Sequence, residues 1–365
     1  MNQSDRNVQS TTLKEAHRLM TICNSCRYCE GLCAVFPAME KRSSFFEGDL
    51  NYLANLCHDC GACYSACQFA PPHEFSVDVP TNFAKVRSES YETYVWPGFL
   101  APMFSRNGLK ISLVAAMCLV IFLIGFVGWH DSSDLWSYNT GPGAFYRLMP
   151  HHIMVFIFGS AFSYAIIAGL FSARNFWRDS KNKFNDRPEA RNFWSATKDA
   201  TSLRYLGDEG LICNISENVS SDRRRLYHHF TFYGFFLCFL STITATFYHY
   251  LLAREAPYPW YDIPVILGIL GGIGLIVGPL GLLWEKFNNR KIKKTLGMDV
   301  AFLVMLFLTS LTGIILLFLR SSPAMGVLLF IHLGIVFSLF ITMPYGKFIH
   351  GIYRFLALVR FSQER

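Results

Sequence analysis

The sequence CNSCRYCEGLC at residues 23–33 places four cysteines in one short stretch, and CHDCGACYSAC at residues 57–67 repeats their spacing. Both runs read C-x2-C-x2-C-x3-C, a close triplet followed by one more cysteine. Such a triplet can point three thiolates at one [4Fe–4S] cube, which takes its fourth thiolate from elsewhere. Zinc, the alternative, is usually bound by two C-x2-C pairs. The doubled run therefore predicts two [4Fe–4S] clusters.

The fourth cysteine of each run is expected to serve the other cluster, as in two-cluster ferredoxins. The first predicted set is Cys23, Cys26, Cys29 and Cys67. The second predicted set is Cys57, Cys60, Cys63 and Cys33. The common bacterial run has proline directly after the fourth cysteine. Here Ala34 and Gln68 follow instead, and prolines come at Pro37 and Pro71. The turn after the fourth cysteine is therefore altered. This difference affects the assignment of the two exchanged cysteines, Cys33 and Cys67, and not that of the two triplets.

The rest of the chain is mostly apolar. Of 365 residues, 52% are hydrophobic and 16% are charged, which is unusual for a soluble protein. Six apolar runs approach or exceed the roughly 20 residues that a helix needs to cross a bilayer. They cover residues 111–129, 152–171, 230–252, 263–284, 300–319 and 325–348. We expect a mainly α protein, with a helical ferredoxin-like two-cluster head over residues 1–105 and a six-helix membrane domain over residues 106–365.

Lysine and arginine indicate the orientation of these helices. They concentrate in the loops 174–225 and 286–297, whereas the loops 130–150 and 253–262 contain one arginine each. Because basic loops stay in the cytoplasm, both termini and the cysteine-rich head are predicted to be cytoplasmic. In that reducing compartment, eight thiols favour cluster binding over disulfides. The lysines and arginines of the cytoplasmic loops then account for the net charge of +7, and no nucleic-acid partner is expected.

Histidines in or beside the apolar runs are candidates for function, because ionisable side chains are costly inside a membrane. The candidates are His151, His152, His228, His229, His249, His332 and His350. Two histidines at equal depth on different helices can bind a b-type haem. Alternatively, histidines at helix ends can simply meet headgroups or helix carbonyls.

The spacing of the histidines predicts up to two haem sites. His332 and His350 are 18 residues apart, so one continuous helix would present both on one face, about 27 Å apart. We expect His350 to pair with His228 or His229 on the inner side, with helical phase favouring His228. We expect His332 to pair with His249 on the outer side. His151 and His152 are weaker candidates for the outer haem.

The sequence contains no G-x-G-x-x-G fingerprint after a strand, so the flavin or nucleotide chemistry is expected to belong to another polypeptide. The protein itself is then an electron-transfer component without substrate chemistry of its own, and whether to class it as an enzyme stays open. The quinone pocket is not located from sequence. Tyr233, Asp299 and Arg354, which are polar groups near membrane depth, are candidates for it, and packing or headgroup contacts are the alternative.

Several long motifs carry a family resemblance: RRLYHHFTFYGF, GGIGLIVGPLGLLW, GMDVAFLVMLFLTSLTG and MPYGKFIHGIYRF. With the doubled cysteine run, they resemble the tricarballylate utilisation protein B family, also called citrate utilisation protein B. The final segment is also similar to the gamma (cytochrome b) subunit of respiratory nitrate reductase. The resemblance implies a bacterial inner-membrane electron carrier with iron–sulfur clusters and one or two haems b.

The resemblance further implies the partners, which are an FAD-dependent tricarballylate dehydrogenase, the membrane quinone pool and the lipid bilayer. The dehydrogenase makes cis-aconitate from tricarballylate, and this protein would reoxidise its reduced FAD. The competing hypothesis is a haem and iron–sulfur subunit of a heterodisulfide-reductase-like thiol–disulfide complex. A transporter or plain membrane anchor is disfavoured, because eight cluster-type thiols have no role in transport.

Overall fold

The structure, a computed structural model, describes residues 10–129, 136–180, 187–206, 219–288 and 297–365, with the backbone alone at 219–222. These residues form helices and loops without a strand. Five helices make up the amino-terminal part. They are α1 (Thr11–Cys26), α2 (Val35–Glu40), α3 (Glu47–Leu56), α4 (Ala62–Ser65) and α5 (Val79–Tyr94). The predicted helical class is therefore confirmed.

Local signals explain where the two longest head helices begin. Ser10 caps α1, because its hydroxyl accepts a hydrogen bond of 3.2 Å from the Leu13 N–H. Asp78 caps α5 in the same way through the Thr81 N–H, at 3.1 Å, and Pro80 sits in the first turn, where no N–H is needed. Apolar residues between the helices are almost completely buried, so the head has its own core.

The described residues beyond the head form nine further helices. They are α6 (Asn107–Trp129), α7 (Ala144–Leu148), α8 (His151–Asp179), α9 (Ala190–Thr201), α10 (Val219–Leu252), α11 (Ile263–Asn288), α12 (Gly297–Phe318), α13 (Met325–Thr342) and α14 (Ile349–Glu364). Six segments are long and apolar enough to cross a membrane: Asn107–Trp129, His151–Asp179, Arg223–Leu252, Ile263–Asn288, Gly297–Phe318 and Met325–Tyr345. The chain is a multi-pass membrane protein, as predicted.

The helices α10 and α11 pack with their backbones in near contact. A Cβ atom on Gly271 would lie 2.7 Å from the Cys238 amide nitrogen, and one on Gly278 would lie 2.6 Å from that of Thr231. Gly274 approaches the Phe230 carbonyl in the same manner. Small residues allow this close approach where lipid supplies no hydrophobic driving force.

The expectation that His332 and His350 share one continuous helix is wrong. Helix α13 ends at Thr342, a short 3-10 turn covers Met343–Tyr345, and α14 begins at Ile349. Pro344 lacks an N–H and disfavours helical geometry in the preceding residue, and Gly346 is extended with φ −128°. The five-turn spacing therefore does not apply to the two histidines.

Helix α14 packs on the amino-terminal core instead of continuing the membrane bundle. Tyr353 is fully buried and its ring stacks on Phe176 of α8 with centroids 5.0 Å apart. Glu364 accepts a hydrogen bond of 2.7 Å from Arg42 and one of 3.1 Å from Tyr52. A boundary between residues 105 and 106 assigns α14 to the membrane domain. The buried residues of α14 nevertheless belong to the core of the head.

Candidate functional site

The first predicted cysteine set lies around one cavity. Cys23, Cys26, Cys29 and Cys67 all line it, together with Ile22, Tyr28 and Phe69. Helix α1 carries Cys23 and ends at Cys26, and the left-handed φ of 54° at the next residue, Arg27, turns the chain towards Cys29. Burial raises the pKa of the Cys23 thiol to about 12 and that of Cys29 to about 11, and neighbouring cysteines, Cys67 among them, add to both shifts.

The second predicted set lines another cavity. Cys33, Cys57, Cys60 and Cys63 surround it, with His58 and Tyr205 beside them. Gly61, at φ +84°, turns the loop between the cysteines in a way that only glycine does readily. Burial and then the nearby Cys57 raise the pKa of the Cys33 and Cys63 thiols. The structure thus brings Cys67 to the first triplet and Cys33 to the second.

Each cavity offers four thiols, the donor set that suits an iron–sulfur cluster. Buried thiols with raised pKa values need a metal's positive charge to ionise. Within the described ranges, no three His, Cys, Asp or Glu side chains converge closely enough for a single metal ion. Four thiols line each of the two cavities, and this donor set fits a [4Fe–4S] group. Cys118 and Cys238 lie singly in spans.

The inner histidine pair is formed by His228 of α10 and His350 of α14, whose ring centroids are 6.4 Å apart. Two imidazoles on opposite sides of one metal, each with a bond of about 2 Å, have centroids about 6 Å apart. The His350 Nδ1 donates to the Lys347 carbonyl, which leaves Nε2 for a ligand. The buried His228 Nδ1 has no partner in the described part of the chain.

These features fit a haem between His228 and His350. Burial lowers the pKa of His350 well below its usual value, so the imidazole is neutral, as a metal ligand must be. The adjacent His229 faces Tyr233 instead, with ring centroids 5.7 Å apart. Of the two histidines at this level of α10, His228 is therefore the one that the fold brings to His350, as helical phase indicates.

The outer histidines are arranged differently from the prediction. His249 stacks on His151 with centroids 3.7 Å apart and planes at 21°, which leaves no room for iron between the rings. The His332 Nδ1 lies 3.0 Å from the Thr312 hydroxyl. Helix α10 packs mainly on α11, whereas α13 packs on α6, α8 and α12, and the pairing of His249 with His332 stays a prediction. His152 is exposed.

Three arginines from separate helices bind the loop of the second cysteine set. Arg354 of α14 donates to the Cys57 carbonyl at 2.6 Å, and Arg87 of α5 donates to the same oxygen at 2.8 Å. Arg224 of α10 donates to the Asp59 carbonyl at 2.6 Å. Sequence reasoning singled out Arg354 only as a polar group and missed the other two, because nothing in the local sequence relates them to the loop.

The other polar candidates also have structural partners. Asp299 forms ion pairs with Lys286 at 2.6 Å and with Lys347 at 2.9 Å. The Tyr233 hydroxyl donates to the Thr201 carbonyl at 3.0 Å. Within the described residues, the side chains of Asp299, Tyr233 and Arg354 therefore connect separate segments of the chain.

The fold and the two thiol sets define a multi-pass membrane protein of the electron-transfer class with an iron–sulfur head. The model of the citrate utilization protein B family matches residues 102–365, and that of its Fer4-like domain matches residues 16–93. Citrate utilization protein B of Escherichia coli is 45% identical over 355 residues, which cover 96% of this chain and 92% of that protein. The chain therefore belongs to the citrate utilization protein B family. No solved structure matches it.

Proposed function

We propose that this protein reoxidises the reduced FAD of a partner tricarballylate dehydrogenase and delivers the electrons to the membrane quinone pool. Two [4Fe–4S] clusters and haem b, when bound, would accept and release single electrons and so divide the two electrons of the flavin. One observation carries the proposal. Arg354 binds the loop of the second cysteine set and lies one helical turn from His350, so the cysteine loop and the inner histidine pair share one helix face.

The residues that would hold each group follow from the cavities. Cys23, Cys26, Cys29 and Cys67 would bind the first cluster. Cys57, Cys60, Cys63 and Cys33 would bind the second cluster. His228 and His350 are the preferred ligands of an inner haem. The remaining histidines, among them His249, His332 and His151, are candidates for a second haem, and their arrangement supports it less directly.

Exposure indicates where the partner delivers electrons. Cys26 is exposed and Tyr28 beside it is 70% exposed, whereas Cys57 of the second set is only 8% exposed. A docked flavoprotein could therefore approach the first set closely, while the loop of the second set is bonded to Arg224 of α10 and Arg354 of α14. We infer that this side faces the cytoplasm of a bacterial inner membrane, with both termini on the same side, because basic loops stay in the cytoplasm.

The experiment that tests the proposal is optical and EPR spectroscopy of the purified full-length protein. We expect about eight irons with acid-labile sulfide per chain, as two four-iron clusters require, and a low-spin haem signal. His350→Ala should abolish the inner-haem signal, whereas His152→Ala, an exposed neighbour in sequence of His151, should leave it unchanged. Zinc without sulfide would refute the clusters, and an unaltered haem spectrum in His350→Ala would refute the inner pair.

Reduction by the partner is a separate measurement. Reduced tricarballylate dehydrogenase should bleach the cluster absorbance when mixed with the protein, and a quinone analogue should restore it. Absence of bleaching with chemically reducible clusters would show that the partner is a different electron donor.

A further inference from the structure

The junction between the head and the membrane helices contains an excess of buried and half-buried positive charge. Arg87 is 5% exposed, and it pairs with the Asp59 carboxylate at 3.8 Å. Arg354 and Arg224 bind only main-chain oxygens among the described residues. Lys347 shares one carboxylate, that of Asp299, with a second lysine. In the part of the chain that the structure describes, two carboxylates, those of Asp59 and Asp299, thus pair with these five cations.

Unbalanced buried charge is costly unless an anion compensates it. Arg354 bonds the Cys57 carbonyl through its guanidinium, which stays protonated and positively charged in proteins. Both Arg354 and Arg87 point their N–H groups at the carbonyl of Cys57, a residue of the second thiol set. The anion that would compensate this charge is therefore a thiolate-bound cluster in the adjacent cavity.

The first cysteine set has no comparable environment in the described structure. Arg27, which follows Cys26, is exposed and donates to the Asn24 carbonyl at 3.1 Å. Arg18 is partly exposed and paired with Glu15 at 2.6 Å. Water screens such exposed charges strongly. The two cavities thus contain the same ligands but differ in the charge around them.

This charge difference has a redox consequence. A [4Fe–4S] group with four thiolates is anionic and becomes more so on reduction, and its potential depends on net charge, hydrogen bonds and exposure. Buried cations stabilise the more negative, reduced form more than the oxidised form, because Coulomb energies are larger in a low-dielectric environment. The second cluster should therefore be reduced more easily than the first.

We propose that Arg87, Arg224 and Arg354 hold the second cluster at a higher reduction potential than the first. This inference rests on the proposed function. One electron, supplied by the reduced flavin of the partner, leaves the first cluster and reduces the second, with no bond made and no proton moved. The arginines act as positioning and tuning residues, and they direct the electron towards the membrane.

The test is a redox titration of the purified full-length protein followed by EPR. Cys26→Ser, which alters the first set alone, identifies the signal of the first cluster. Arg354→Gln should lower the ratio of reduced to oxidised second cluster about tenfold at fixed ambient potential, equivalent to about 59 mV for one electron. The first cluster should not move. Arg354→Lys, which keeps the charge, should restore most of the shift.

Arg360→Gln is the matched control. Arg360 is also a buried arginine of α14, but it lies over Trp177 with 4.3 Å between its guanidinium carbon and the ring centroid. It should change neither potential. Arg224→Gln, at a half-buried position, should shift the potential of the second cluster in the same direction as Arg354→Gln. It replaces Arg354→Gln in the test if that variant does not assemble its clusters.

The outcomes separate this inference from the proposed function. Two clusters with an unshifted second potential in both neutral variants, or a wild-type second cluster with the lower potential, would overturn the inference and leave the relay intact. Wild-type protein without iron and sulfide would overturn the proposed function itself.

Discussion

At the scale of the residue, Asp299 is the group with the most concentrated electrostatic role in the membrane domain. Its carboxylate accepts Lys286 of α11 and Lys347, which precedes α14, at 2.6 and 2.9 Å. Burial opposes the charge on Lys347, but Asp299 prevails and raises the lysine pKa. Since the Lys347 carbonyl also accepts the His350 Nδ1, the ion pair fixes the backbone that orients a candidate haem ligand.

Asp299→Asn should therefore leave two ammonium groups without a counter-charge. We expect a loss in stability below the about 3–5 kcal/mol of a fully buried pair, because the Asp299 side chain is 31% exposed, together with a broadened inner-haem spectrum. Thermal unfolding of the detergent-purified protein measures the first effect and optical spectroscopy the second. Glu189→Gln, which removes an exposed partner of Arg191, is the control and should change neither. Equal melting temperatures for Asp299→Asn and wild type would contradict the prediction.

At the scale of the element, the glycine contact between α10 and α11 determines where His228 lies. Three glycines on α11 approach the α10 backbone too closely for any side chain. Helix α10 carries His228 one turn before Thr231, which contacts Gly278. Displacement of α10 would therefore move His228 relative to His350, so helix packing and the inner pair are coupled.

Gly278→Leu should separate these helices. Overpacking usually costs about 1–3 kcal/mol, and contacts with backbone atoms place this substitution at the upper end. Gly125→Leu is the matched control, because a Cβ at that glycine of α6 meets no atom within 4 Å. We expect a lower melting temperature and reduced haem occupancy in Gly278→Leu only. If both variants behaved alike, the effect would reflect glycine substitution in general and not the helix contact.

At the scale of the whole molecule, α14 joins the two ends of the described chain. Arg42 of the head has a side chain only 2% exposed and binds both Asp49 and Glu364, each at 2.7 Å. Around this pair, Tyr353 and other apolar residues of α14 are buried in the core of the head. The helix that carries His350 is therefore held by the iron–sulfur head and not by lipid.

Glu364→Ala should loosen this attachment. Because it leaves Arg42 with one partner in a buried position, we expect a cost of about 3–5 kcal/mol and faster hydrogen exchange in α3 and α14. Glu15→Ala breaks an ion pair with Arg18 that is about 40% exposed on both sides, and it should cost at most about 1 kcal/mol. Unchanged exchange in α14 of Glu364→Ala would show that apolar packing alone holds the helix.

Sequence patterns predicted those features that depend on local spacing. The six spans, the helical head and the grouping of Cys67 with the first triplet follow from periodicity and from cluster geometry. The outer histidines could not be paired in this way, because depth and phase do not indicate which helices are neighbours. The sequence places His249 and His332 at compatible depths. In the structure, however, α10 packs mainly against α11, and the ring of His249 stacks on that of His151.

The three arginines at the junction could not be predicted from the sequence, for a related reason. Arg87, Arg224 and Arg354 are far apart in the chain, and only the folded arrangement brings them to one loop. The break between α13 and α14 at Pro344 and Gly346 could in principle be predicted from the sequence. A continuous apolar run concealed it, since hydropathy does not register where a helix bends.

The position of α14 also bears on how the protein is made. The ribosome produces all eight cluster-type cysteines before any membrane span, and it produces α14 only after the sixth. A nascent chain can thus acquire its metal early, but Arg354 and His350 reach the head only when membrane insertion is nearly finished. The junction between the head and the inner histidine pair is therefore the last part of the protein to form.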